Sequence, residues 1–139
     1  MAKRIGALVM GRKSYQQLLE WGWLWGDRPT LALPSTTDLA ALGGANITFR
    51  SAPTAKAVTE WSAQTSKRLW VFGGGNVVAA ALLGGVVDTL ALTIMPEVLC
   101  EGIFLFSEPY SGPMRIIHSV SYDNGAIRLV YDTTTARTS

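Results

Sequence analysis

Two short stretches of this chain combine residues suited to holding an anion. In WVFGGGNVV, Trp70 to Val78, an apolar run enters three consecutive glycines and then a helix-forming segment. Glycine has no Cβ, so the backbone can approach a ligand closely, and the first turn of a helix offers unpaired N–H groups to a phosphate. The competing reading is that the glycines only allow a strand and a helix to pack tightly. The segment is not a full Rossmann fingerprint, because Val78 stands where the last glycine would be, and it is not a P-loop, because no Gly-Lys-Ser/Thr follows. In VMGRKSY, Val9 to Tyr15, a strand again ends in glycine and a helix begins, now with Arg12 and Lys13 in its first turn. Cations there oppose the helix dipole, and a bound anion would supply a reason for them. The alternative is two solvated side chains.

Other reactive side chains form no constellation. With one Cys and one His, a His/Cys zinc site is excluded. Cys100, alone in an apolar stretch, reads as a buried small hydrophobe. His118 lies in a strand with Ile116 and Val120 on its face and reads as structural rather than as a base. Asp88 precedes a strand in a solvent or capping position, Glu97 and Glu101 flank a loop, and Asp27 sits in the loop after the first helix.

The elements that must position the two glycine turns follow from periodicity. Ile5–Met10 reads as a buried strand and Ser14–Trp21 as a helix with Tyr15, Leu18 and Leu19 on one face. Trp21, Trp23 and Trp25 fall in a Gly-broken loop that serves packing or an interface. Thr30–Leu33 and Ile47–Phe49 are strands, with a helical turn at Thr36–Leu42 between them. A helix starts at Pro53, with Ala55, Val58 and Trp61 inward. Leu69–Phe72 is a strand, Asn76–Leu83 a helix closed by Gly84-Gly85, and Leu90–Met95 a strand stopped by Pro96. Met114–Tyr122 and Ala126–Asp132 are joined by Asp123-Asn124-Gly125, a hairpin signal because tight primed turns need positive φ. Strand–helix repeats followed by a hairpin predict an α/β domain: a mainly parallel sheet flanked by helices, with an antiparallel edge. One domain over 1–132 and a flexible tail over 133–139 are expected.

Composition bounds the function classes. The chain has 139 residues, net charge +2, 48% hydrophobic and 16% charged residues, and five Trp. Without a basic stripe or tail, nucleic acid is not an expected partner. The longest apolar run, Val77–Val87, is too short to span a bilayer, and the N-terminus lacks a signal-peptide core, so a cytoplasmic protein is expected. An apolar surplus in so small a chain favours a homodimer.

VMGRKSY, LPST, the strand leading into FGGGN, and VDTLALTIMPEVLCEGIFLF followed by an Asn-Gly hairpin ending at Tyr131 stand in a telling order. In that order the chain resembles the dihydrofolate reductase superfamily from Ile5 to Tyr131. Its Pro96…Gly102…Leu105-Phe106 pattern is closer to the riboflavin-biosynthesis reductase branch. The resemblance implies a dihydrofolate-reductase-like fold and an NADPH site, with NADH as the alternative cofactor. Gly11, Arg12, Lys13 and Ser14 would sit at the cofactor's phosphates. Leu33, Pro34 and Ser35 would flank the adenosine ribose, and Gly73, Gly74, Gly75, Asn76 and Val77 would hold the pyrophosphate and line the nicotinamide side. The implied activity is reduction of a small pterin- or pyrimidine-like heterocycle; the competing reading is a non-catalytic dinucleotide-binding or dimerisation module.

Three departures qualify what the resemblance implies. Pro34-Ser35 replaces the family's usual Ser-Arg, which removes a guanidinium for the ribose 2′-phosphate. Cys100 replaces a usual glycine. The family's first strand, carrying a Ser-Leu-Asp-Gly-like segment, and its substrate-side helix have no counterpart, so the chain reads as N-terminally truncated. That strand would lie between the one ending at Phe72 and the one beginning near Leu90. Either those two pair directly, or a second copy supplies the missing surface.

Overall fold

A computed structural model describes residues 4–23, 25–33, 46–106 and 109–134. The elements run β1 (Ile5–Gly11), α1 (Arg12–Trp21), β2 (Thr30–Leu33), β3 (Ile47–Phe49), α2 (Thr54–Ser62), β4 (Arg68–Gly73), α3 (Gly75–Leu83), β5 (Thr89–Ile94), β6 (Arg115–Ser121) and β7 (Ile127–Asp132). The helical turn expected at Thr36–Leu42 lies outside the described residues.

β1 is apolar almost throughout because both of its faces are covered. On one face Leu8 and Met10 pack with Tyr15 and Leu18 of α1. On the other, Val9 packs with Ala57 and Val58 of α2 and Val77 of α3. The strands form a four-stranded parallel sheet in the order β3-β2-β1-β4. Leu19, expected beside Leu18, turns outward, since the face of α1 that meets the sheet closes on Tyr15 and Leu18 alone.

The tryptophans of the loop after α1 serve packing. Trp25 stacks edge-to-face on Trp70 and Phe72 of β4, with ring centroids 5.0 and 5.7 Å away, and Trp23 meets Tyr15 at 6.1 Å. Such pairs add about 0.5–1.5 kcal/mol each beyond the area they bury. Trp21 is the exception and points to solvent.

The antiparallel part is a sheet of its own, in the order β5-β7-β6. β4 ends the parallel sheet and β5 ends the antiparallel one, and the two do not pair. Direct closure of β4 onto β5, one of the two expected outcomes, therefore does not occur. The hairpin forms as its sequence predicts: Gly125 adopts φ +87, its N–H donates to Tyr122 O at 2.9 Å, and Asn124 Oδ1 accepts from the Ala126 amide.

The chain is still hydrogen-bonded just past the end of β7. The Thr133 amide donates to Asp88 O and its hydroxyl to Val87 O, which ties the end of β7 to the start of β5. Both the hydroxyl and the amide of Thr134 donate to Asp132 Oδ1, at 2.5 and 2.8 Å, and Arg115 Nη2 meets Asp132 Oδ2 at 3.1 Å. No helix among the described residues is long and apolar enough to cross a membrane.

Two measurements test this packing. A Cβ on Gly84, at the end of α3, would lie 2.4 Å from Ala55 Cβ on α2, although its φ of −75° is ordinary for alanine. Gly84→Ala should therefore destabilise the fold by about 1–3 kcal/mol in urea, against the usual helix preference for alanine. Gly102→Ala, whose Cβ meets nothing within 4 Å, should be neutral. Hydrogen bonds from the Thr134 hydroxyl, then from its amide, then from Arg115 lower the Asp132 carboxyl from 3.8 to about 2. A carboxylate depressed on folding contributes stability above its ordinary value and loses it as pH falls through about 2. NMR titration should find that midpoint, and Thr134→Ala should move it back towards the usual carboxylate range.

Candidate functional site

The site is a sheet edge. β2, β1 and β4 are parallel neighbours, so their carboxyl ends emerge together, with Leu33 opposite Gly11 and Met10 opposite Gly73. Open α/β sheets bind ligands at that end of their strands. Both helices leaving this edge start on glycine: Gly11 is the N-cap of α1 and Gly74 that of α3. Neither helix has a side-chain cap or an acidic residue in its first turn. In α3, the amides of Gly75, Asn76 and Val77 meet no backbone or side-chain acceptor among the described residues outside the helix. These donors and the helix dipole give the edge a positive potential.

The two glycine turns touch. A Cβ built on Gly11 would lie 3.1 Å from Val77 Cγ2, 3.6 Å from Gly74 N and 3.7 Å from Gly73 O. Ser14 Oγ, one turn into α1, lies 3.7 and 3.6 Å from Cβ positions on Gly73 and Gly74. Gly11, Ser14, Gly73, Gly74 and Val77 are thus brought together from two distant segments. Arg12 is half-buried and Lys13 exposed at the same helix start. Below them Tyr15 is fully buried, and burial raises its phenol above the usual value. Leu33 reaches the edge, whereas Pro34 and Ser35 lie outside the described residues. Asn76 is exposed beside Gly75.

One neighbour was not singled out from sequence as part of the site. The loop after β5 returns to this edge, and Leu105 O lies 2.8 Å from where a Cβ on Gly75 would stand. Its signal was the Pro96…Leu105-Phe106 pattern, which says nothing of where the loop runs. A separate concavity, lined by residues including Leu82, Val87, Tyr110 and Thr133, lies by the C-terminal end of α3, away from the glycine turns.

Two expectations for other residues are corrected. Cys100 is exposed, not buried, because it lies in the open loop after β5, where it adopts φ +65. His118 is exposed too, and a register shift between Ile116 and His118 removes the shared face assumed for them.

No protein-family model matches this chain, and no curated protein matches it by sequence. Solved structures do. A proposed riboflavin biosynthesis protein from Shewanella sp. PV-4 superposes with TM-score 0.80 at 21% identity, over 94% of this chain and 75% of that one. A pyrimidine reductase-like protein from Corynebacterium diphtheriae gives 0.64 at 18% identity, over 92% and 75%. RibD from Acinetobacter baumannii gives 0.65 at 13% identity, over 92% of this chain but 46% of its own. The fold is therefore that of the riboflavin-biosynthesis and pyrimidine reductase-like proteins.

The backbone distinguishes the roles of two adjacent glycines. Gly73 holds φ +140, which L-residues rarely adopt, whereas Gly74 holds φ −80 and a Cβ there would meet only Ser14 Oγ at an ordinary distance. Gly73→Ala should cost about 1–3 kcal/mol in thermal or urea unfolding. Gly74→Ala should keep the cooperative melt, so that any effect it has falls on what approaches the edge from outside.

Proposed function

We propose that this chain is the nucleotide-binding domain of a nicotinamide-dependent reductase acting on a pterin- or pyrimidine-like heterocycle. The observation that carries this reading is the contact between the turns at Gly11 and Gly73–Gly74, since it joins two uncapped helix starts into one cradle that a Cβ would fill. A dinucleotide has phosphates enough for both. The amides of Gly75, Asn76 and Val77 would hold the pyrophosphate, and Ser14 Oγ stands beside the glycines to orient it. Arg12 and Lys13 would add positive charge at the α1 end, and Leu33 to Ser35 would flank the adenosine ribose. When bound, NADPH or NADH supplies the hydride; the chain's own part is to bind, orient and exclude water.

The substrate side is where the reading divides. The first turns of α1 and α3 carry no acid to protonate a heterocycle. Among the described residues β4 and β5 each have an edge without a partner, which is where the resemblance places a further strand and the substrate contacts next to it. The second reading, a dinucleotide-binding module without catalysis, is favoured by the same observation.

Calorimetric titration tests the first step. NADPH and NADH should bind with comparable affinity, because Pro34-Ser35 offers no guanidinium to the 2′-phosphate. Gly74→Ala should abolish binding of both while retaining the cooperative melt. Failure of either dinucleotide to bind at millimolar concentration would remove the proposal. The isolated chain should show no reduction of dihydrofolate, and a turnover that disappears in Gly74→Ala would overturn the non-catalytic reading.

A further inference from the structure

We infer that an extended strand of a different polypeptide, apolar along its length and acidic at its start, docks between β4 and β5. A strand–helix–strand unit ordinarily returns its second strand to the same sheet, parallel to the first. Here α3 leaves β4 and packs back on β4 and β1, yet β5 pairs with β7 and not with β4. Among the described residues the outer edges of β4 and β5 are both without a partner. About half of a strand's N–H and C=O groups point to each edge, so β4 and β5 each offer a row of donors and acceptors to a strand between them.

The side chains of β4 state what fits. Trp70 and Phe72 pack on the α1 side of the sheet, and Leu69 and Val71 join the cluster on the α2 and α3 side. These four are only partly buried, whereas β1, one strand further in, is buried along nearly all its length. A strand beside β4 would extend both layers, so its side chains must be apolar on both faces. Exposed edges are usually blunted by charges or proline, and Leu69–Phe72 carries neither. Charge is gathered at the start of the strand instead. Lys67 and Arg68 are exposed there, and the exposed Arg4 stands across from them, because Ile5 is the partner of Arg68. No salt bridge among the described residues reaches these three cations. A parallel strand with an acidic start would meet them, and complementary charge fixes its direction and register.

A second folded copy of this chain cannot be the occupant. A strand seated between two others needs both of its own edges free, and each described strand already has at least one edge paired. The occupant is therefore a segment that is unpaired in its own chain and becomes a strand on docking. In that mode main-chain hydrogen bonds supply affinity, and the alternating side chains supply selectivity.

The probes are capped synthetic peptides of about seven residues, the length of an ordinary strand: a valine run led by aspartates, and the same run led by lysines. Titration into the purified chain is read by tryptophan fluorescence, since Trp25 stacks on Trp70 of β4, and by hydrogen exchange. The aspartate-led peptide should bind saturably, and protection should rise at residues 69–72 and 90–93 together. Blocking alternate peptide amides by N-methylation should weaken it by roughly tenfold or more, because the main-chain donors are lost. Lys67→Glu combined with Arg68→Glu, on two exposed side chains, should weaken it by roughly tenfold and favour the lysine-led peptide. Absence of saturable binding up to millimolar concentration, equal binding of the N-methylated peptide, protection on β4 alone, or indifference to the charge reversal would each overturn the inference. Should the double variant fail to fold, the N-methylated comparison on the wild-type chain decides. Protection of β4 that is present without peptide and falls on dilution would assign the edge to a second copy and overturn the inference as well. None of these results depends on whether a dinucleotide binds.

Discussion

Parallel hydrogen bonding between β1 and β4 sets Met10 beside Gly73, and through it two turns far apart in the chain meet at one edge of the sheet. Had β4 paired elsewhere, each turn would be a strand running into a helix and no more. Side by side, they leave room that is lined by backbone, bordered by two helix starts and free of acidic residues in their first turns. The glycines are selected twice over. At Gly11 a Cβ would press on Val77, and at Gly75 it would press on the Leu105 carbonyl, so part of their role is close packing. At Gly74 little in the chain stands in the way, since a Cβ there would meet only Ser14 Oγ, at 3.6 Å.

The same strand order explains why one half of the molecule is finished and the other is not. The parallel sheet has α1 on one face and α2 and α3 on the other, as a sheet buried on both sides requires. In the antiparallel sheet Leu90 is buried, but Ile94 and Ile127 at the ends of β5 and β7 and Ile116 and Ile117 on β6 are about half exposed. A fully exposed leucine or isoleucine forgoes on the order of 1.5–3 kcal/mol of burial, and a half-exposed one a part of that. The loop from Met95 to Phe106 links the two halves physically, since it leaves the antiparallel sheet and returns to Gly75 at the edge where the glycine turns lie.

Much of this was legible from residue order. The apolar run of β1, the glycine endings of β1 and β4, and the Asp123-Asn124-Gly125 turn all depend on neighbours within a few positions, and each lies where its sequence places it. Cys100 was misjudged for a physical reason. Burial is a property of what lies across from a residue, and an apolar stretch is evidence of burial only where something covers it. In the parallel sheet the inference worked, because covering helices follow directly in sequence. In the loop after β5 it failed, because Cys100 stands exposed there.

The sequence by itself determined the elements, their order and the chemistry of the two glycine turns, because strand and helix periodicity and the steric freedom of glycine act locally. Only the tertiary structure decided that the turns touch, that the loop at Leu105 reaches Gly75, and that β4 and β5 do not pair, dividing the expected single sheet in two. Those outcomes depend on which strand edges meet across long stretches of chain. A strand's residues specify that its edge must be paired or exposed, but not the partner that satisfies it.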